Sequence, residues 1–109
     1  MHFSTYREFY QKALIRIGGN DRSILLDEQS PFTHWLIALE GQPRTGEDYF
    51  LWGIAIYPAD KEGFFNWHNP IYKSSLYNCI NEAYNGAKVL EQYSHNDELS
   101  SMNLQIKIS

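Results

Sequence analysis

Several features that mark common protein classes are scarce in this 109-residue chain. It has one cysteine, Cys79, so an internal disulfide is excluded. No apolar run approaches the roughly eighteen residues that a membrane-spanning helix needs, and no N-terminal apolar segment resembles a targeting signal. We therefore expect a cytoplasmic protein without a membrane partner.

Basic residues are also few, and they are scattered. Nine Lys and Arg stand against thirteen Asp and Glu, which gives a formal net charge of −4. Proteins that bind nucleic acids need clustered cations to displace counterions from the phosphates. The sequence therefore argues against a nucleic-acid partner, whereas a basic partner protein suits its mild acidity.

Catalytic and metal-binding motifs are missing as well. The histidines at positions 2, 34, 68 and 95 do not follow zinc-ligand spacing, and neither a Gly-x-Ser-x-Gly elbow nor a phosphate-binding loop occurs. Cys79 falls on the apolar face of a predicted helix, where we expect a buried thiol. From these patterns we expect no metal, no cofactor and no enzymatic activity.

Aromatic residues, in contrast, are abundant. The chain contains eight Tyr, six Phe and three Trp, within a composition of 43% hydrophobic and 20% charged residues. This balance is typical of a globular domain that buries a core. Since neither a linker nor an internal repeat is found, we expect residues 1–109 to form a single domain.

The apolar pattern predicts an α+β fold. A first helix is indicated over residues 5–17 by apolar residues at spacings of three and four, and Gly18 and Gly19 are expected to end it. The run 23–26 is either a short strand or a lead into the sheet. Two central strands are predicted at Thr33–Glu40 and Tyr49–Tyr57, because both carry apolar side chains on both faces.

A second helix is predicted over about residues 70–85. Asn69 suits the N-cap and Pro70 the first helical position, and Gly86 is expected to end the helix. Residues 87–94 remain open between a longer helix and a strand, and we favour a strand over 88–94. A last strand over 102–108 completes a mainly antiparallel sheet of four to five strands with two helices.

The segment 61–70, KEGFFNWHNP, is the most distinctive part of the chain. Its large rings either close over the second face of the sheet or form a binding surface. Alternation along the segment predicts Phe65 inward, with Phe64 and Trp67 outward. Exposed aromatic side chains in a loop favour protein recognition, because they offer rigid contact area.

The preferred hypothesis is a small protein-binding module that occludes a partner stoichiometrically, as an immunity protein, antitoxin or other inhibitor does. In this hypothesis two aromatic rings anchor the complex, an amide and an imidazole form directional hydrogen bonds with the partner, and acidic side chains attract a basic partner. The predicted binding residues are Phe64, Trp67, Asn66, His68, Asp60, Glu62, Asp97 and Glu98.

Two alternatives belong to other classes. One is a small-molecule-binding domain or small enzyme with a pocket under the loop 61–70, in which His68 acts as acid or base beside Asp60 or Glu62. The other is a homodimeric structural or accessory subunit that hides the spare face of the sheet on a second copy.

Overall fold

The computed structural model describes residues 8–43, 50–66 and 68–101. Within these residues, four strands form one antiparallel sheet in the order β1-β2-β3-β4, and two α-helices and one 3₁₀ turn accompany it. The predicted α+β class is confirmed, and the elements form a compact single domain. In chain order they are β1 Glu8–Arg16, α1 Gly19–Leu25, β2 His34–Pro43, β3 Phe50–Ala59, β4 Tyr72–Lys73, α2 Ile80–His95 and a 3₁₀ turn Leu99–Ser101.

Strands β2 and β3 form the centre of the sheet and pair along their whole length. They confirm the two predicted central strands, and residues 35–40 are all buried, as expected for a strand covered on both faces. Alternation divides the buried side chains into two clusters. The helix face includes Ile15, Trp35, Ile37, Leu39, Ile54 and Ile56, and the loop face comprises Leu36, Ala38, Ala55, Tyr57 and Ala59.

Helix α2 covers the helix face and contacts β1, β2 and β3. Its buried stripe includes Ala83, Ala87 and Leu90, which recur at helical spacing and belong to the same apolar cluster as the strands. Small residues in this stripe allow the helix axis to lie close to the sheet. The helix face is therefore a regular layer of helix on sheet.

The predicted helix over 5–17 is wrong within the described residues, because residues 8–16 form strand β1. This strand pairs antiparallel with β2 at one edge of the sheet. The part of the prediction at residues 5–7 lies outside the described residues.

A bulge in β1 explains why the pattern resembled a helix. Lys12 is inserted between Gln11 and Ala13 in the pairing with β2. A bulge shifts the alternation of side chains by one position. Apolar pairs at 9–10 and 13–14, which lie on both faces of the strand, thereby imitate the spacing of an amphipathic helix.

Gly18 and Gly19 were expected to end a helix, but Gly19 begins one. Helix α1 starts directly after Gly18, and residues 23–25 of the run expected as a strand form its last turn. The first turn of α1 is capped by Asp97, which lies in the segment after α2. The sequence around α1 gives no sign of this cap, because Asp97 is far from α1 in the chain. Tertiary contact therefore decides where this helix begins.

The predicted helix over 70–85 is displaced by about ten residues in the structure, to Ile80–His95. Residues 71–77 instead run beside β3, through β4 and a bridge between Trp52 and Tyr77. Asn69 and Pro70 therefore do not start a helix. Cys79 is the N-cap residue of α2 and is exposed, so the expectation of a buried thiol is also wrong.

Gly86 does not end the second helix. A Cβ at this position would lie 2.9 Å from Ile54 Cδ1 and 3.3 Å from the Tyr77 hydroxyl oxygen. The glycine thus permits close approach of α2 to the sheet, and the helix continues through it. Residues 88–94 are helical, which corrects the favoured strand, and the predicted strand over 102–108 lies outside the described residues.

Candidate functional site

The aromatic loop begins with a tight turn over residues 60–64. The Asp60 backbone carbonyl accepts a hydrogen bond from Gly63 N at 3.0 Å, and Asp60 N donates one to the Phe64 carbonyl at 3.1 Å. Gly63 has a φ of +89°, in the left-handed region that favours glycine. The local sequence Asp-x-x-Gly thus matches the turn that it forms.

The Asp60 carboxylate stabilises this turn by accepting hydrogen bonds from its backbone. Its Oδ1 atom accepts hydrogen bonds from Glu62 N at 2.8 Å and from Phe64 N at 3.0 Å. An Asp side chain that bonds the backbone two residues ahead is a common way to fix a turn. Asp60, predicted to steer a partner, therefore has a structural role that fixes the backbone of Phe64.

Phe65 anchors the loop to the loop face of the sheet. It forms an antiparallel bridge with Ala59, and its ring centroid lies 4.6 Å from that of Tyr57 and 5.8 Å from that of Phe9. These are distances of favourable aromatic contact. The predicted inward orientation of Phe65 is confirmed.

Phe64 points outward on the same loop. Its side chain is 69% exposed, the largest exposure of any large apolar side chain among the described residues. The predicted outward orientation of Phe64 is therefore confirmed. Trp67, for which the same orientation was predicted, lies outside the described residues.

The remaining loop residues of the prediction are exposed. Asn66 Oδ1 accepts a hydrogen bond from His68 N at 2.9 Å, so this amide oxygen stabilises the backbone of the loop. Both side chains face solvent, as does that of Glu62. The structure thus brings Phe64, Glu62, Asn66 and His68 onto one short segment.

The two acids predicted at 97 and 98 belong to another part of the molecule. The Asp97 carboxylate caps α1, accepting hydrogen bonds from Asn20 N at 2.9 Å and Asp21 N at 2.7 Å. Asp21 is itself fully buried and accepts hydrogen bonds from the backbone of the 3₁₀ turn. Asp97 therefore joins α1 to the end of α2 by hydrogen bonds. The side chain of Glu98, the next residue, is exposed.

The sequence missed a buried polar cluster on the loop face. Glu40 is 4% exposed, accepts a hydrogen bond from the Tyr57 hydroxyl, and forms an ion pair with Lys73 in which Nζ lies 2.9 Å from Oε1. The three residues come from β2, β3 and β4. The available signal was a charged residue in an otherwise apolar strand, but its partners are separated from it by 17 and 33 residues.

Groups of side chains able to hold a metal ion are absent among residues 8–43, 50–66 and 68–101. In the same part of the chain, the structure contains no helix that is both long and apolar enough to cross a membrane.

Comparisons with protein-family models, with curated proteins and with solved structures find no match to this chain. Function is therefore inferred from its own residues, of which the loop 60–66 is the clearest candidate for recognition.

Proposed function

We propose that this protein is a cytoplasmic protein-binding module that inhibits a partner by stoichiometric occlusion, with the loop 60–66 as its recognition element. The observation that supports this most strongly is Phe64, an exposed ring on a loop that the rest of the fold holds in place. A side chain that only completed the core would lie inward, as Phe65 does.

The rigidity of the loop matters for affinity. Four hydrogen bonds at Asp60 fix the turn, and the Phe65 ring fastens its far side to Tyr57 and Phe9. Ordering a mobile loop on binding reduces affinity, whereas a preformed loop avoids most of that loss. Phe64 is thus presented as an apolar anchor that fits a pocket on a partner.

Charge indicates the kind of partner. The chain has a net charge of −4, and Glu62 is exposed two residues from the anchor. Opposite charge near an anchor raises the association rate and excludes partners of like charge. We infer a basic protein whose functional surface contains an apolar pocket, and the net negative charge disfavours nucleic acid as the partner.

The first test is capture of partners from a lysate of the producing cells with three forms of the protein: wild type, Phe64→Ala and the control Val89→Ala. Val89 is 50% exposed on α2, so the control removes a similarly exposed apolar side chain elsewhere. We expect one basic protein in near-stoichiometric amount with wild type and control, and its loss with Phe64→Ala. Circular dichroism must show unchanged melting for both variants.

The second step uses the purified partner. Calorimetry should give one-to-one binding, and Phe64→Ala should weaken it about thirtyfold, equivalent to about 2 kcal/mol. Glu62→Gln should mainly slow association at low ionic strength. Equal binding by Phe64→Ala and wild type would exclude the loop as the recognition element, and self-association alone in sedimentation would replace the proposal with a homodimer.

A further inference from the structure

The buried polar cluster of Glu40, Tyr57 and Lys73 borders a cavity of about 240 Å³. The cavity lies toward the start of β3, whereas the loop 60–66 follows its end. Polar and apolar groups share its wall. The lining residues are Glu40, Gln42, Gly53, Ile54, Lys73, Ser74 and Leu76.

The stability of the fold does not explain this ion pair. Glu40 lies on a face whose other buried residues are apolar, apart from the Tyr57 hydroxyl that contacts it. A buried ion pair repays its own desolvation poorly, and apolar residues of similar size often stabilise a protein as well or better. Sites for small molecules combine apolar walls with a few placed polar groups, and Glu40 and Lys73 are such groups in this cavity.

The cross-strand neighbour of Glu40 is what leaves room beside it. Glu40 pairs with Gly53 in the β2–β3 register, so no side chain from β3 fills the space next to the carboxylate. A Cβ at position 53 would lie 3.2 Å from Leu76 Cδ2, which is closer than an ordinary contact. The glycine thus keeps the cavity open between Glu40 and Leu76.

The charges of the cavity indicate its ligand. Among the described lining residues, Glu40 and Lys73 carry the charges, and the two signs are opposite, so they match best a ligand that also carries both signs. A molecule with both an ammonium and a carboxylate group matches both charges, because the carboxylate of Glu40 accepts and the ammonium of Lys73 donates. Leu76 offers an apolar wall for a short aliphatic group.

We propose that this cavity binds a small zwitterion of the amino-acid type, with its ammonium group toward Glu40 and its carboxylate toward Lys73. Gln42 contributes an amide that can bond either group. The cavity is smaller than the roughly 300 Å³ at which pockets for drug-sized ligands begin, which limits the ligand to a molecule smaller than those. This proposal does not depend on the function of the loop.

The test is an NMR titration of the isotope-labelled protein with L-alanine and L-leucine. Propionate and ethylamine, which each keep one charged group of alanine, are the matched control ligands. We expect saturable shifts of the Gly53 and Ser74 amides and the Gln42 side-chain amide with at least one amino acid, and about tenfold weaker binding of both controls. The absence of saturable shifts with both amino acids, or equal binding of either control ligand, overturns the proposal.

Variants locate the binding and separate it from stability. Glu40→Gln and Lys73→Met should each weaken binding at least about tenfold, whereas Lys88→Met, at an exposed position on α2, should leave it unchanged. If the first two variants fail to fold, Gly53→Ala tests whether the amino acid binds in this cavity, because this substitution narrows the cavity and keeps both charged residues. Unchanged binding in Gly53→Ala would exclude this cavity. Phe64→Ala should bind the amino acid normally, so failure of one proposal leaves the other testable.

Discussion

The two faces of the sheet are built in different ways. On the helix face, a regular stripe of α2 packs against large aliphatic residues of three strands. On the loop face, the central strands contribute mainly small residues, and Phe9 and Phe65 pack over them from β1 and the loop. The loop face also holds the buried Glu40, which forms an ion pair with Lys73.

We expect this difference to separate effects on stability from effects on binding. Close packing of a helix on a sheet buries apolar area efficiently and leaves little room for polar groups. A face covered by a loop can hold a buried ion pair such as that of Glu40 with Lys73, and can present a side chain such as Phe64 to solvent. We therefore expect substitutions on the helix face to act on stability, and substitutions on the loop face to act more on binding.

The largest effect is expected from Ile37→Ala on the helix face. Ile37 is fully buried, and its removal should lower the free energy of unfolding by about 4 kcal/mol, since the rigid helix layer cannot collapse into the cavity. Leu36→Ala, the neighbouring and equally buried position on the loop face, should cost about 2 kcal/mol, because the half-buried rings of Phe9 and Phe65 can shift toward the space while the backbone of the loop stays fixed. Urea denaturation of both variants measures this contrast, and equal losses would contradict it.

Removal of the buried carboxylate should come next. Glu40→Ala leaves Lys73 and the Tyr57 hydroxyl without the group that both contact, and should cost about 3 kcal/mol, the lower end for a broken buried pair, since Lys73 is 34% exposed. The double variant Glu40→Leu/Lys73→Met should recover most of this loss. A double-mutant cycle, with free energies of unfolding measured by urea denaturation, gives the coupling free energy between Glu40 and Lys73. A double variant no more stable than Glu40→Ala would show that the fold itself requires the pair.

The two adjacent phenylalanines should differ in a smaller but clear way. Phe65→Ala removes a half-buried ring that packs on Tyr57 and Phe9, and should cost about 2 kcal/mol. Phe64→Ala should change the free energy of unfolding by less than about 0.5 kcal/mol, because the ring is exposed. Thermal melting followed by circular dichroism compares them. A similar loss for both would mean that Phe64 also completes the core.

The smallest effect concerns Tyr72, which packs against the helix-face cluster. Burial, and secondarily the neighbouring Tyr77, raises the pKa of Tyr72 above its ordinary value of 10.0. The unfolded state therefore loses this proton first as pH rises. The contribution of Tyr72 to stability is full below pH 10.0 and decreases as pH rises through the raised pKa of the folded state.

Tyr72→Phe should reduce this alkaline loss of stability. We would measure urea midpoints on either side of pH 10.0 for wild type, Tyr72→Phe and the exposed control Tyr84→Phe. Groups other than these two tyrosines titrate in all three proteins, so a difference confined to Tyr72→Phe is the contribution of Tyr72. A slope with pH that is identical in wild type and Tyr72→Phe would exclude the raised pKa.

Sequence reasoning succeeded where the signal was local and strong. Strands β2 and β3 were predicted because apolar residues on both faces require cover on both sides, and the structure provides it. The split between Phe64 and Phe65 was also predicted, since neighbouring residues of an extended segment point in opposite directions. Both conclusions needed only the pattern of adjacent residues.

Sequence reasoning failed where a contact with a distant part of the chain, and not the local pattern, determined the structure. The bulge at Lys12 gave a strand the spacing of a helix, and close approach to Ile54 and Tyr77 explains a glycine that was expected to end α2. Asn69 and Pro70 formed a plausible helix start, but the residues after them pair with β3 instead. Pairing of this kind is set by the neighbouring strand and is not encoded in the segment alone.

The sequence by itself determined the α+β class, the two central strands and the turn chemistry of Asp60 and Gly63, because these depend on composition, alternation and backbone preference. Only the tertiary structure decided the bounds of both helices, the cap that Asp97 places on α1, and the meeting of Glu40 with Lys73. These features join residues far apart in the chain, and their free energies arise only when the sheet has brought the partners together.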